Sequence, residues 1–406
     1  MERSDNGPFL ERRAAVLATE KPDRPSPVTL ALASAGAAIA IYLFGVLATP
    51  HVLRHFHYND FGTFYRAAAT GRLYGPDRDL PVVGPVTMTN LNPPHFHLFF
   101  RPLTFLPLPA AYLVWMTLSA CAIGIGLWRT ALRVRPTWPW WMWLVIVAWT
   151  PAFALLYTGQ ITALIFVPLL LAWWADREGR RTTAGAWMGL ALSIKPNLIM
   201  LLAWWLFRRR WRQIGTATAT TLAAGLVGVI VYGWQAYETW LRNLGSATWT
   251  WAAMNTSLWA LPSRLWQETP YYPHLAERPG LVSVATAALV LPVAVAALWG
   301  LWRTWDVDIA WTLALVSSSL VMPLGWAYYA WWWVPMAMGL PLRRRTWVVV
   351  AVLLLVPATV VTAVISDSVP VAITVGSAPV YAMLALCTAV TRLAVAAKPA
   401  PATPVG

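Results

Sequence analysis

Apolar residues fall in a dozen or so blocks of roughly 15 to 25 residues, each about long enough to cross the hydrocarbon core of a bilayer as a helix. That spacing constrains the fold more than any motif does. A transmembrane β-barrel shows shorter alternating segments of about ten residues, so the blocks predict an all-α polytopic membrane protein. Composition agrees, with 58% hydrophobic residues, 11% charged residues and 28 tryptophans in 406 residues. The net charge of +14 is spread over short loops and forms no aromatic-interleaved basic face, which argues against a nucleic-acid partner. Cys121 and Cys387 both lie inside apolar blocks and read as core residues.

Residues 1–27 are polar and proline-containing and read as a disordered cytoplasmic tail, with a second such tail at 397–406. The integral domain, 28–396, has expected spans at Val28–Thr49, Pro109–Leu127, Trp138–Tyr157, Ile161–Ala175, Gly215–Gly233, Leu281–Trp302, Ile309–Leu324, Trp326–Leu340, Trp347–Ile365 and Val369–Val390. The stretch Thr183–Phe207 differs, because Arg177, Arg180 and Arg181 precede it and Arg208, Arg209, Arg210 and Arg212 follow it. Basic clusters at both ends place both ends on one side, which requires two half-depth helices broken at Lys195-Pro196. With that hairpin, 21 of the 30 basic residues fall on one side, eight on the other, and Lys195 lies in the membrane. The positive-inside rule then makes both termini cytoplasmic and turns the long loops 50–108 and 234–280 outward. These loops hold all six histidines and three stretches suited to interfacial helices, Phe61–Ala69, Phe96–Leu106 and Ser257–Trp266. No repeat of 20 to 50 residues is evident.

Four groups carry candidate chemistry. Asp60, beside aromatic residues at the membrane surface, would be partly desolvated, which raises proton affinity and suits a general base; it would equally suit the cap of the helix starting at Phe61. Asn92-Pro93-Pro94-His95-Phe96-His97 stiffens a loop in which two histidines face one ligand if the segment is extended, and hydrogen bonding to phosphate or sugar fits better than metal binding. Gly159-Gln160, Asn255-Thr256-Ser257 and Arg264 add polar groups on the same side. Lys195, costly to bury, points to an anionic lipid phosphate, with a snorkelling lysine or a bundle ion pair as the plainer reading. The tryptophan runs Trp138–Trp143 and Trp331–Trp333 read as an interfacial belt, and Trp249 and Trp251 as a sugar platform.

These motifs, in order, resemble glycosyltransferase family 87, which includes polyprenol-phosphate-mannose-dependent α-1,2-mannosyltransferases of actinobacteria and some arabinofuranosyltransferases. The likeness runs from Asp60-Phe61 through Asn92-Pro93-Pro94, Pro102-Leu103, Gly159-Gln160, the Gly185 to Lys195-Pro196 span and Asn255-Thr256-Ser257-Leu258 with Arg264. It implies a C-type glycosyltransferase bundle of about 11–12 transmembrane helices with two extracytoplasmic loops carrying interfacial helices, in the plasma membrane. It further implies a polyprenyl-phosphate sugar donor, mannose first, a cell-envelope glycolipid or polysaccharide acceptor, and no cofactor or metal. Asp60 would be the catalytic base, and Lys195, Arg264, His95, His97, Asn92, Gln160, Asn255, Ser257, Tyr328 and Tyr329 would bind donor phosphate or sugar. The family's Ser-Pro-X-Ser-Trp motif and following His-His pair correspond here to Met322-Pro323-Leu324-Gly325-Trp326-Ala327-Tyr328-Tyr329. Tyrosine can hydrogen-bond but carries no positive charge, leaving His95 and His97 as stand-ins for that charge. A transporter or flippase of lipid-linked sugars, and an inactive scaffold paralogue, are the alternative readings.

Overall fold

The computed structural model describes residues 60–74, 90–134, 136–245, 249–269, 274–356, 358 and 368–397. The expected first span, Val28–Thr49, and the expected tails apart from Ala397 lie outside the described residues. Among the described residues no strand forms; helices carry the fold, with one isolated bridge between Asn255 and Trp326.

The loop 50–108 supplies helix α1 (Asp60–Thr70) and two 3-10 turns, Pro94–Phe99 and Arg101–Phe105. A single helix over Phe96–Leu106 was expected; Pro102 lacks the N–H that would continue it. Helix α2 (Leu108–Val134) follows. The span expected at Trp138–Tyr157 is two helices, α3 (Met142–Ala148) and α4 (Thr150–Thr158), because Trp149 is extended and Pro151 has no donor for the helix ladder. Then come α5 (Thr162–Arg177), α6 (Arg181–Ile194), a 3-10 turn at Pro196–Ile199, α7 (Met200–Phe207) and α8 (Trp211–Tyr232). The loop 234–280 holds α9 (Trp234–Leu244) and α10 (Ala260–Trp266). The rest is α11 (Pro279–Arg303), α12 (Val307–Val321), a 3-10 turn at Ala327–Tyr329, α13 (Ala330–Ala337), α14 (Arg344–Leu355), α15 (Val369–Thr374) and α16 (Ala378–Ala396). Among the described residues four segments are long and apolar enough to cross a membrane: α2, α8, α11 and Val369–Ala396.

The break at Lys195-Pro196 is where the sequence puts it, and the packing of α6 on α8 shows that the chain turns back. Gly185 lies against Gln213 and Thr216, and Gly189 against Ala217 and Thr220, so contacts advance together along both helices and the two are parallel. Thr221 Oγ1 donates to the Gly189 carbonyl at 2.9 Å. Both helices therefore start at the same end, and α7 must return the chain to it. Fourteen residues of α6 lift Lys195 about 21 Å from that end. The close approach requires the two glycines, since a Cβ at Gly189 would collide with the Ala217 carbonyl and lie 2.8 Å from Thr220 Cβ. Gly189→Leu is expected to cost about 1–3 kcal/mol or more through overpacking, read as a lower melting temperature in detergent.

The end from which α6 and α8 rise is basic, and two buried carboxylates organise it. Asp176 accepts from Trp205 and Trp311 indoles at 3.0 and 2.9 Å and pairs with Arg210 at 2.7 Å. Asp308 accepts from Trp173 at 3.1 Å and pairs with Arg177 at 3.2 Å. Tryptophan here builds the core more than the belt: Trp138 and Trp331–Trp333 are buried, while Trp140, Trp211, Trp234 and Trp299 are exposed. Their indole area favours burial wherever an N–H acceptor is at hand, as Trp332 finds in the Thr162 carbonyl at 3.2 Å.

Candidate active site

Asp60 opens α1 at the end of the bundle opposite the buried carboxylates. Phe61 and Phe64 anchor the helix, with ring centroids 5.3 Å from Tyr112 and 5.1 Å from Phe96 respectively. Gly159, in the left-handed region at φ 64°, ends α4 directly beneath. A Cβ there would lie 2.6 Å from Phe61 Cβ, so both the turn and the close packing need glycine. Trp115 holds the turn by donating to the Gly159 carbonyl at 3.1 Å. The next residue, Gln160, is buried and its Nε2 donates to Asp60 Oδ2. Burial pushes the Asp60 carboxyl up to about 6, against the opposing effects of the Gln160 hydrogen bond and the Lys195 charge.

Lys195 closes α6 in an extended conformation, φ −131° and ψ 91°, which the following proline favours. Its side chain is partly buried and makes no hydrogen bond or salt bridge among the described residues, although its charge is felt at Asp60. Tyr328 and Tyr329, both buried, lie within range of the same carboxylate. Tyr329 stacks on Trp332 with centroids 3.9 Å apart, and Tyr328 meets it edge-on at 5.3 Å. Neither hydroxyl donates a hydrogen bond to a described residue. A desolvated carboxylate with an amide donor, an ammonium close enough to feel its charge and two hydroxyls without a hydrogen bond among the described residues is an arrangement for moving a proton next to a developing negative charge.

The sequence pattern of glycosyltransferase family 87 matches residues 90–325, more than half of the chain. The chain belongs to glycosyltransferase family 87. It is thus a membrane glycosyltransferase, an enzyme of the transferase class. No curated protein and no solved structure matches it. The matched residues enclose Asn92, His95, His97, Gln160, Lys195, Asn255, Ser257 and Arg264, while Asp60, Tyr328 and Tyr329 lie outside them.

In this glycosyltransferase the Asn255-Thr256-Ser257-Leu258 motif joins the loop 234–280 to the segment that carries the tyrosines. Asn255 Nδ2 donates to the Thr250 and Pro323 carbonyls at 2.8 and 2.9 Å, and its Oδ1 accepts from the Ser257 and Gly325 N–H groups at 3.1 and 2.9 Å. Ser257 Oγ donates to Pro323 at 3.0 Å, and Ala327 N–H to Met254 at 2.7 Å. All four hydrogen-bonding positions of the Asn255 amide are taken by the chain itself. Gly325 packs against Ser319, leaving no room for a Cβ.

Arg264, fully buried, also serves this loop. Its guanidinium donates to Trp251 at 2.9 Å, Ala252 at 2.5 Å, Asn255 at 3.2 Å and Ser377 Oγ at 2.6 Å. Arg264→Ala strands at least three carbonyls, each worth about 1–3 kcal/mol if buried and unsatisfied. The expected result is a large loss of folded protein, measured as a collapse of the monodisperse peak in detergent.

The histidines take partners away from Asp60. Tyr237, on the amphipathic helix α9, donates to the Gly225 carbonyl at 2.9 Å, so His95 Nδ1 must donate to Tyr237 Oη, also 2.9 Å away. The Asn90 amide is fixed by Asn92 N–H on its Oδ1 and Leu73 O on its Nδ2, so His97 Nε2 accepts from Asn90 at 2.8 Å. Burial holds His95 down to about 4 and His97 down to about 3, so both are neutral at physiological pH. Asn92 accepts on its carbonyl from Tyr74 at 2.5 Å. Asn90 and Tyr237 are not among the residues singled out by motif; the 3.6-residue apolar pattern of Trp234–Leu244 was the signal for Tyr237. Among the described residues no three His, Cys, Asp or Glu side chains group so as to hold a metal ion.

Proposed function

We propose that the enzyme transfers a sugar, mannose in the first instance, from a polyprenyl-phosphate donor to a cell-envelope glycolipid or polysaccharide, with Asp60 as general base. The observation that carries this reading is the nearness of Asp60, held by Gln160, to a Lys195 ammonium at the tip of the hairpin that forms no salt bridge or hydrogen bond among the described residues. Asp60 takes the proton of the acceptor hydroxyl as its oxygen attacks the anomeric carbon. The bond from that carbon to the phosphate oxygen breaks with its electron pair, and Lys195 stabilises the resulting phosphate charge. Tyr328 and Tyr329 donate hydrogen bonds to phosphate or sugar. Lipid phosphate is favoured over a nucleotide because the ammonium lies at membrane depth. The basic end marks the cytoplasmic side, so the site works on the extracytoplasmic face of a multi-pass plasma-membrane protein.

The test incubates membranes containing the protein with radiolabelled polyprenyl-phosphate mannose and, separately, the arabinofuranose donor. Label passing to glycolipid or polysaccharide is the expected result. Label that changes leaflet but stays on the donor would overturn the reading in favour of a flippase. Within the same assay Gln160→Leu removes the hydrogen bond that holds the Asp60 carboxyl down, so its acid limb is expected to move above that of the wild type.

A further inference from the structure

Two buried polar atoms close to the Lys195 tip have no hydrogen-bond partner among the described residues. Asn197 follows Lys195 by two residues in the 3-10 turn, and its Oδ1 is buried and unbonded; Ser318 Oγ, on a residue 3% exposed in α12, is in the same state. Ser317 and Ser319, on either side, donate to the Leu313 and Leu315 carbonyls one turn back, the usual resort of a helical serine. Ser318 does not. An unsatisfied buried polar group is costly, and two at one depth beside a binding cation call for a ligand.

Their common depth follows from the packing. The turn Pro196–Ile199 packs on α12, and α7 runs antiparallel to α12, because Trp205 meets Trp311 at 6.2 Å while Arg208 reaches the Thr304 carbonyl at 3.1 Å. From that contact toward the tip the rise is about 13 Å to Asn197 and about 10 Å to Ser318.

The chemistry of the atoms selects among ligands. A carboxamide oxygen only accepts, and the phosphate of a lipid donor near neutral pH also accepts, so with its amide in this orientation Asn197 suits a hydroxyl donor rather than phosphate. A sugar hydroxyl can donate to Asn197 Oδ1 and can exchange a hydrogen bond with Ser318 Oγ. With the phosphate on Lys195, the ring attached to it lies within reach of a residue two positions along the turn. We propose that Asn197 and Ser318 bind hydroxyls of the sugar being transferred and set which sugar the enzyme accepts. This rests on the assignment of the donor phosphate to Lys195.

The test uses the full-length protein in lipid nanodiscs with the active polyprenyl-phosphate sugar and donors lacking one sugar hydroxyl each. Wild type is expected to lose about 10- to 100-fold in kcat/KM with at least one deoxy donor, the loss that follows from leaving one buried polar group unsatisfied. Asn197→Ala and Ser318→Ala are expected to be slower with the full donor and to discriminate less than wild type against the matching deoxy donor. Ser318→Ala removes only an unbonded oxygen, so it should keep the wild-type melting temperature and carries the test if Asn197→Ala fails to fold. Variants that discriminate among deoxy donors as wild type does would overturn the sugar-binding assignment while leaving the transferase reading intact. A wild type inert with every polyprenyl-phosphate sugar would overturn both.

Discussion

Asp60→Asn is expected to slow sugar transfer by about 10²–10⁴-fold, the range for loss of a positioned general base. Asparagine keeps the shape and an oxygen that can still accept from Gln160 Nε2, so α1 should stay docked through Phe61 and Phe64. Stability should move the other way. The folded carboxyl titrates near 6, above its ordinary value of 3.8, so the native state binds the proton more tightly than the unfolded chain does. That contribution favours folding below about pH 4 and is lost as pH rises through 6. At pH 7 the ionised, buried Asp60 opposes folding, and the neutral amide relieves the cost. Loss of transfer with an unchanged or raised melting temperature separates a catalytic carboxylate from a structural one. Transfer within threefold of wild type would remove Asp60 from the mechanism.

Lys195→Met is expected to lower kcat by about 10²–10³-fold, as removal of one preorganised charge stabiliser of a developing oxyanion does. The substitution keeps chain length and apolar contact at the hairpin tip, and no salt bridge within 4 Å is lost, because none is present among the described residues. Stability should therefore change little. Removing the ammonium also withdraws one influence that lowers the Asp60 carboxyl, so the residual activity should need a higher pH. Lys195→Arg should recover part of the rate, since the charge returns in a different shape. A Lys195→Met enzyme with wild-type kcat would place the leaving-group cation elsewhere.

The features legible in the sequence are those with local physical causes. The hairpin from Thr183 to Phe207 follows from arginines at both ends and a proline after Lys195, and α6 and α7 take that form. Gly159 is legible as the residue that lets Gln160 turn beneath Asp60 only once Phe61 is known to pack on it, a contact across almost 100 residues. The same holds for the Asn255 motif. Its residue types suit a ligand, and the chain satisfies all of them with the carbonyls and N–H groups of a distant turn at Pro323–Gly325. Arg264 repeats the lesson, bonded to Trp251, and the two histidines repeat it by half: His95 Nδ1 is bonded to Tyr237 and His97 Nε2 to Asn90, while the other ring nitrogen of each is buried without a hydrogen bond among the described residues. Sequence spacing shows which groups a site has available, and long-range packing decides which of them remain unspent. Asp60, Gln160, Lys195, Tyr328 and Tyr329 converge, and within that set the Lys195 ammonium and the tyrosine hydroxyls make no hydrogen bond among the described residues.

The most direct test of a buried carboxylate base is the acid limb of the pH–rate profile for transfer from the polyprenyl-phosphate donor, measured as kcat/KM between pH 4.5 and 8 for wild type and for His95→Gln. The account predicts a rate that falls as pH drops through about 6 in both proteins, because Asp60 must be ionised to accept the proton while His95 is already neutral. A rate that stays level to pH 4.5, or a limb that vanishes in His95→Gln, would contradict it.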